Sequence, residues 1–174
     1  KYTSKGGEWF EFGNAKNGQG SRTDISELRA KLKENPKDLK KILATDELNY
    51  QQLKYAENIT KYFFTDRDID NPPKVFWVYG DSGIGKTRKV FDEFGRENIY
   101  ICDNFQWLGQ NYYQEMVYLI DDFRANDIKF NVLLRICDRY PMTLEVKGSH
   151  IPLNSKYIII TSSKDISQTF SHIN

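Results

Sequence analysis

A chain of 174 residues with 25 Lys and Arg against 24 Asp and Glu carries a net charge of +1, which excludes a polyanion-binding surface spread over the whole molecule and confines any nucleic-acid contact to local patches. Hydrophobic content of 39% and aromatic content of 14% exclude a disordered chain, and the length suits one α/β core with a small appendage. No run reaches the roughly 18–20 apolar residues of a membrane span, and the start at Lys1 lacks a signal-peptide pattern. Cys102 and Cys137 form no CxxC or Cys/His ligand set. A soluble protein of a reducing compartment is expected, and the chain, which begins without Met, is read as a piece of a longer one.

The first segment, 1–22, is rich in Gly, Asn and Ser around Trp9-Phe10-Glu11-Phe12 and reads as a frayed strand among loops. From Thr23 or Asp24, either of which can cap, Ile25, Leu28 and Leu32 fall at helical spacing until Asn35-Pro36. A second helix is expected from Lys37 to about Leu43. A third, from about Asp46 to Phe64, carries Leu48, Leu53, Ala56, Ile59 and Phe63 and stops before Asn71-Pro72-Pro73. Beyond Pro73 the apolar run Val75–Tyr79 predicts a strand buried on both faces. Further strands are expected over Ile99–Cys102, Met116–Ile120 and Tyr157–Thr161, with helices over Lys86–Phe94 and Asp127–Cys137 between them. This alternation predicts an α/β fold with a largely parallel sheet. Thr143–Leu153 alternates around Lys147-Gly148-Ser149-His150 and predicts a β-hairpin projecting from that sheet.

Gly80-Asp81-Ser82-Gly83-Ile84-Gly85-Lys86-Thr87 follows a strand and opens a helix, in the spacing GxxxxGK[ST]. Glycines at this spacing let backbone N–H groups curl around phosphates while the helix aims its positive dipole end at them. Lys86 is expected to reach the β- and γ-phosphates of ATP, and Thr87 to ligate Mg²⁺. A triphosphatase also needs a carboxylate at the end of a neighbouring apolar strand. Asp121 and Asp122 follow Met116–Ile120; Asp121 is read as the metal carboxylate and Asp122 as the group that orients or activates water, the pair being better defined than the division between them. Thr161-Ser162-Ser163, after Tyr157–Ile160, stands where a γ-phosphate-sensing residue belongs, and Ser163 is the residue proposed for it.

With these residues in hand, the chain resembles the replication initiator (Rep) proteins of circular single-stranded DNA viruses, circovirus-like ones above all. One block of likeness runs from Leu133 through Tyr140-Pro141-Met142-Thr143-Leu144-Glu145-Val146-Lys147-Gly148 to Ile159-Ile160-Thr161-Ser162-Ser163. The other comprises Tyr2-Thr3-Ser4-Lys5, Trp9–Gly13 and Gln19–Asp24, similar to the junction between the family's nuclease and helicase domains. The resemblance implies three parts: 1–22 as the tail of an endonuclease domain with a linker, 23–70 as a helical oligomerisation domain, and 71–174 as a P-loop ATPase of the AAA+, superfamily 3 helicase type whose C-terminal end is missing. It implies a DNA helicase working 3′-to-5′ as a hexameric ring in the host nucleus, with single-stranded DNA held by Lys147 and His150 in the central pore. Each ATP site would be completed by a neighbour's arginine, expected beyond Asn174; Arg124, Arg135 and Arg139 are further candidates.

Tyr2-x-x-Lys5 resembles the family's third rolling-circle motif, in which the tyrosine attacks a DNA phosphate with help from a divalent metal. That metal's ligands would lie upstream of Lys1, so nicking is expected of the parent protein alone. The family usually has Asn where Ser163 stands, and serine is shorter and lacks the amide's paired donor and acceptor. Two other functions fit the same residues: a regulatory or assembly P-loop ATPase without unwinding activity, and a nucleic-acid scaffold whose P-loop is filled but inactive.

Overall fold

A computed structural model describes residues 23–34, 36–45 and 48–171. Tyr2 and the expected strand at Trp9–Phe12 lie outside the described residues. Three helices come first: α1 (Thr23–Glu34), α2 (Leu39–Thr45) and α3 (Tyr50–Thr60), the last running into a 3₁₀ turn at Lys61–Phe63. Helix α3 begins later than expected because Asn49 caps it: the Asn49 side chain accepts from the Gln52 backbone N–H, and the Gln52 side chain accepts from the Asn49 N–H. This reciprocal capping box satisfies two N–H groups that the first turn leaves without partners. Leu28, Leu32, Leu39, Ile42 and Ala56 close a small apolar cluster among the three helices.

The second part is built on a four-stranded, all-parallel sheet of β1 (Lys74–Tyr79), β2 (Ile99–Cys102), β3 (Val117–Ile120) and β6 (Tyr157–Ser162), in the order β1-β6-β3-β2. Strand β6 therefore sits between the strand that feeds the phosphate loop and the strand that ends in Asp121. Helix α4 (Lys86–Phe94) packs Val90 and Phe91 against one face of the sheet, with Ile99, Val117, Leu119 and Ile159. The other face is filled by Ile120, Ile158 and Ile160 with Leu133 and Ile136 of α5 (Phe130–Cys137), and by buried Leu144, Val146 and Ile151 of a hairpin. The α/β class and parallel sheet match the sequence-based expectation.

Strand β1 does not match it. Among the described residues only β6 pairs with it, and Val75, Phe76 and Tyr79 are 42%, 46% and 59% exposed. An apolar run looks the same at a sheet edge as at its centre, so periodicity could not distinguish them. Helix α5 also starts later than expected, because Asp127 closes a turn instead: its carboxylate accepts from the Arg124 N–H at 2.7 Å and its own N–H donates to the Arg124 carbonyl.

The hairpin pairs β4 (Thr143–Val146) with β5 (Ser149–Pro152), antiparallel, leaving Lys147 and Gly148 as the turn. It is clamped to the body at Gly109, whose N–H donates to the Glu145 carbonyl at 3.0 Å. A Cβ on Gly109 would sit 2.8 Å from that of Leu144, so only glycine admits this approach.

Helices and sheet are tied by polar groups distant in sequence. Lys40 Nζ meets the buried Glu115 carboxylate at 2.5 Å and lies 4.9 Å from the Tyr113 ring centroid. The buried Gln114 amide donates to the carbonyls of Thr65 and Pro152 and accepts from the Thr65 N–H. Arg67, 4% exposed, donates to the carbonyls of Ile136 and Asp138, closing the C-terminal end of α5 with a buried cation. Burial lowers the Arg67 pKa, because removal from water penalises its charged form.

Candidate nucleotide-binding site

The C-terminal ends of β1, β6 and β3 meet at one edge of the sheet, and every candidate nucleotide-site residue stands there. The loop after β1 turns through left-handed backbone at Gly83 (φ 85°) and Gly85 (φ 90°). A Cβ at either would touch nothing within 4 Å, so the demand for glycine is purely conformational. Gly85 is also the N-cap of α4 and offers no side chain to its first turn, leaving those N–H groups for an anion. The Lys86 ammonium donates to the carbonyls of Gly80 and Asp81 at 2.8 and 2.9 Å, folding back over the loop it would share with phosphate.

From the opposite side Asp121 arrives at the end of β3. Its Oδ1 accepts from Thr87 Oγ1 at 2.7 Å and from Thr161 Oγ1 at 2.6 Å. The Thr161 hydroxyl in turn accepts from the Asp122 N–H at 2.8 Å, and the Phe123 N–H donates to the Thr161 carbonyl at 2.8 Å. Buried Thr161 thus locks the turn that follows β3. That turn holds Asp122 at φ 49°, in the left-handed region, with its carboxylate exposed and 3.4 Å from the Arg124 guanidinium.

The parallel register explains this arrangement. Ile120 stands opposite Ile160 and Val78 opposite Thr161, so the residues just past these pairs fall at one level beside the phosphate loop. Ser162 pairs with Tyr79 and donates through its hydroxyl to the Phe123 carbonyl at 3.0 Å. Ser163, exposed, follows one residue beyond, beside Gly80, whose N–H donates to the Ser162 carbonyl. The structure therefore brings Lys86, Thr87, Asp121 and Asp122 together, and adds Thr161, which sequence reasoning placed in the right segment without a role. Only the pairing register could have singled it out.

These groups fit a hard divalent cation of the Mg²⁺ kind. Thr87 and Asp121 supply oxygen donors from two elements, and among the described residues no group of three or more His, Cys, Asp or Glu could cage a metal. A sparse oxygen set of this type suits an ion that keeps waters and borrows phosphate oxygens from its nucleotide.

The other candidates lie apart from this cluster. Lys147 is exposed at the hairpin turn, and exposed His150 stands opposite Glu145 on the outer face of the hairpin. Arg124, Arg135 and Arg139 are all exposed.

A glycine loop between strand and helix, facing an acidic strand end across an interposed strand, defines a P-loop NTPase fold. The RNA helicase family matches over residues 76–164. The chain is 33% identical over 94% of its length to the Replication-associated protein of Human associated cyclovirus 1 and 29% identical over 94% to that of Porcine circovirus 2. It is 39% identical over 55% of its length to that of Beak and feather disease virus. The chain belongs to the RNA helicase family, as the superfamily 3 helicase-type region of a circovirus-like replication-associated (Rep) protein of circular single-stranded DNA viruses. It spans 60%, 52% and 32% of the lengths of these three relatives. Among the described residues no helix is long and apolar enough to cross a membrane.

Proposed function

We propose that this region hydrolyses ATP to move 3′-to-5′ along single-stranded DNA as a hexameric ring during viral replication in the host nucleus. The observation that carries the reading is the convergence of Thr87 and Thr161 on one oxygen of Asp121 at the mouth of the glycine loop. Loop N–H groups and the α4 N-terminus hold the phosphates, and Lys86 exchanges its two carbonyl partners for β- and γ-phosphate oxygens. Thr87 and Asp121 would hold a magnesium ion, which would supply positive charge to offset that of the phosphates. Thr161 fixes the carboxylate of Asp121, and Asp122 orients the attacking water and accepts its proton as the bond to the departing ADP breaks. Ser163, one residue past the Ser162 carbonyl that accepts from the Gly80 N–H, is the γ-phosphate sensor.

In the parent protein, residues 23–70 form the oligomerisation domain and 71–174 the motor, while 1–22 with Tyr2 belong to a metal-dependent endonuclease that nicks and joins DNA. An arginine from the neighbouring subunit completes each ATP site. The Lys147 turn, with His150 beside it, grips the DNA backbone in the pore. The test is ATP turnover with and without single-stranded DNA. Lys86→Ala should abolish turnover, and Lys147→Ala should abolish its stimulation by DNA while leaving the basal rate. Stimulation that survives Lys147→Ala would sink the pore assignment and favour an assembly ATPase.

A further inference from the structure

Between the helices and the hairpin lies a groove of about 340 Å³, unconnected with the ATP site. One wall is α3 and the 3₁₀ turn after it, contributing Lys54, Asn58 and Lys61; the opposite wall is the hairpin, with Val146, Lys147 and Ile151; the end is the turn at Gln110–Tyr113. Lys54 and Lys61 are seven residues apart, two helical turns, and so share a face about 10 Å long. Three ammonium groups stand against one carboxylate, Glu57, which pairs with Lys54 at 3.1 Å. Lys61 has no ion-pair partner among the described residues. Asn58, Gln110 and Asn111 add amide donors and acceptors, and Asn111 is held at φ 63°, a left-handed conformation uncommon outside glycine. Half-buried Phe64 and Tyr113 supply aromatic surface, while Tyr112 behind them is fully buried.

A volume of this size takes a mononucleotide-sized ligand, and cations beside amides and rings are the chemistry that binds single strands. Lys147 belongs both to the hairpin turn and to the groove, so a strand gripped at the turn leads directly into it. We propose that this groove is a second binding position for single-stranded DNA: Lys54 and Lys61 hold phosphates adjacent to the one held by Lys147, and one nucleotide lies against Asn58, Asn111 and the aromatic floor. The inference rests on the assignment of Lys147 to DNA. It makes the helical part a contributor to the DNA path as well as to subunit contacts.

The test is fluorescence anisotropy of a labelled oligo-dT of about 20 nucleotides, titrated with parent protein, with Lys54→Ala/Lys61→Ala and with Lys147→Ala across a salt series. Both groove lysines are exposed, so folding should survive their loss, which a melting curve checks. The double variant should bind on the order of tenfold more weakly at about 50 mM salt, with the slope of log K against log salt shallower by about 1.4, since each lost single-strand phosphate contact removes about 0.7. Its ATP turnover without DNA should be unchanged. Parent-like binding by the double variant overturns the groove whatever Lys147→Ala does, and so does weaker binding with an unchanged slope. Loss in the double variant with none in Lys147→Ala would remove the hairpin assignment and, with it, the proposed path from turn to groove. Parent-like binding by the double variant beside loss in Lys147→Ala overturns the groove alone. Displacement of the oligonucleotide by an equal concentration of dTMP would mean a mononucleotide site and would overturn the strand reading, as would a parent chain that fails to bind oligo-dT at all.

Discussion

Replacing Thr161 by Val removes one hydroxyl and keeps the shape. That hydroxyl donates to Asp121 at 2.6 Å and accepts from the Asp122 N–H at 2.8 Å, and Thr161 is 1% exposed, so no solvent replaces it easily. A hydrogen bond to a charged group contributes about 1.5–3 kcal/mol, and an amide left without its acceptor adds to the loss. The expected cost in stability is about 2 kcal/mol, a fall in Tm of about 4–8 °C for a chain of this size. Asp121 keeps its bond from Thr87, so nucleotide and metal should still bind with nearly parental affinity. The Asp121–Asp122 turn, freed from its anchor, should misplace the Asp122 carboxylate, proposed above to orient water, and lower kcat by roughly tenfold to a hundredfold, the equivalent of about 1.4–2.7 kcal/mol in the transition state. Turnover against ATP concentration separates kcat from KM, and Thr161→Ser restores the hydroxyl alone. The reasoning fails if Thr161→Val keeps the parental kcat despite the lower Tm, or if Thr161→Ser is as slow as Thr161→Val.

Gly85→Ala forces a Cβ into left-handed backbone at φ 90°; it should cost about 1–2 kcal/mol and weaken nucleotide binding measured with a fluorescent ATP analogue, whereas the same change at an exposed α4 position such as Arg88 should not. Arg67→Ala strips the buried donor from the Ile136 and Asp138 carbonyls and should lower unfolding free energy by about 3 kcal/mol in urea titrations. Burial raises the thiols of Cys102 and Cys137 to about 11 from the ordinary 9.0, so above that value the folded chain holds more protons than the unfolded one. The stability linked to these thiols should be fully present below about pH 9 and decline between about pH 9 and 11, and Cys102→Ala/Cys137→Ala should flatten that part of the pH profile.

The phosphate loop was legible because its glycines answer a local need, φ values that other residues resist, and local needs leave fixed spacings. The acidic pair after β3 was legible because it ends an apolar strand, and the Lys147-Gly148 turn because it sits within an alternating stretch. Thr161 was visible as part of a strand end but without its role, because which hydroxyl meets Asp121 depends on how β6 registers against β3, a long-range fact. The edge position of β1 among the described residues was equally hidden, since hydrophobicity reports that a segment packs without saying on how many sides. The ties from Lys40 to Glu115 and from Gln114 to Thr65 and Pro152 join residues that no periodicity connects. The α3 start was readable in Asn49-x-x-Gln52, a capping signature outweighed by the apolar pattern around it.

The interposed strand has a consequence for how the molecule is made. Strand β1 finds its neighbour in β6, about 80 residues later, and β3 pairs with the same strand on its other side. A ribosome has therefore delivered the glycine loop, α4 and the acidic turn well before the strand that brings them together. Closing so long a loop is entropically slow, so assembly of the nucleotide pocket should be among the last events of folding. A nascent chain halted before Tyr157 would carry the whole phosphate-binding signature without the means to present it.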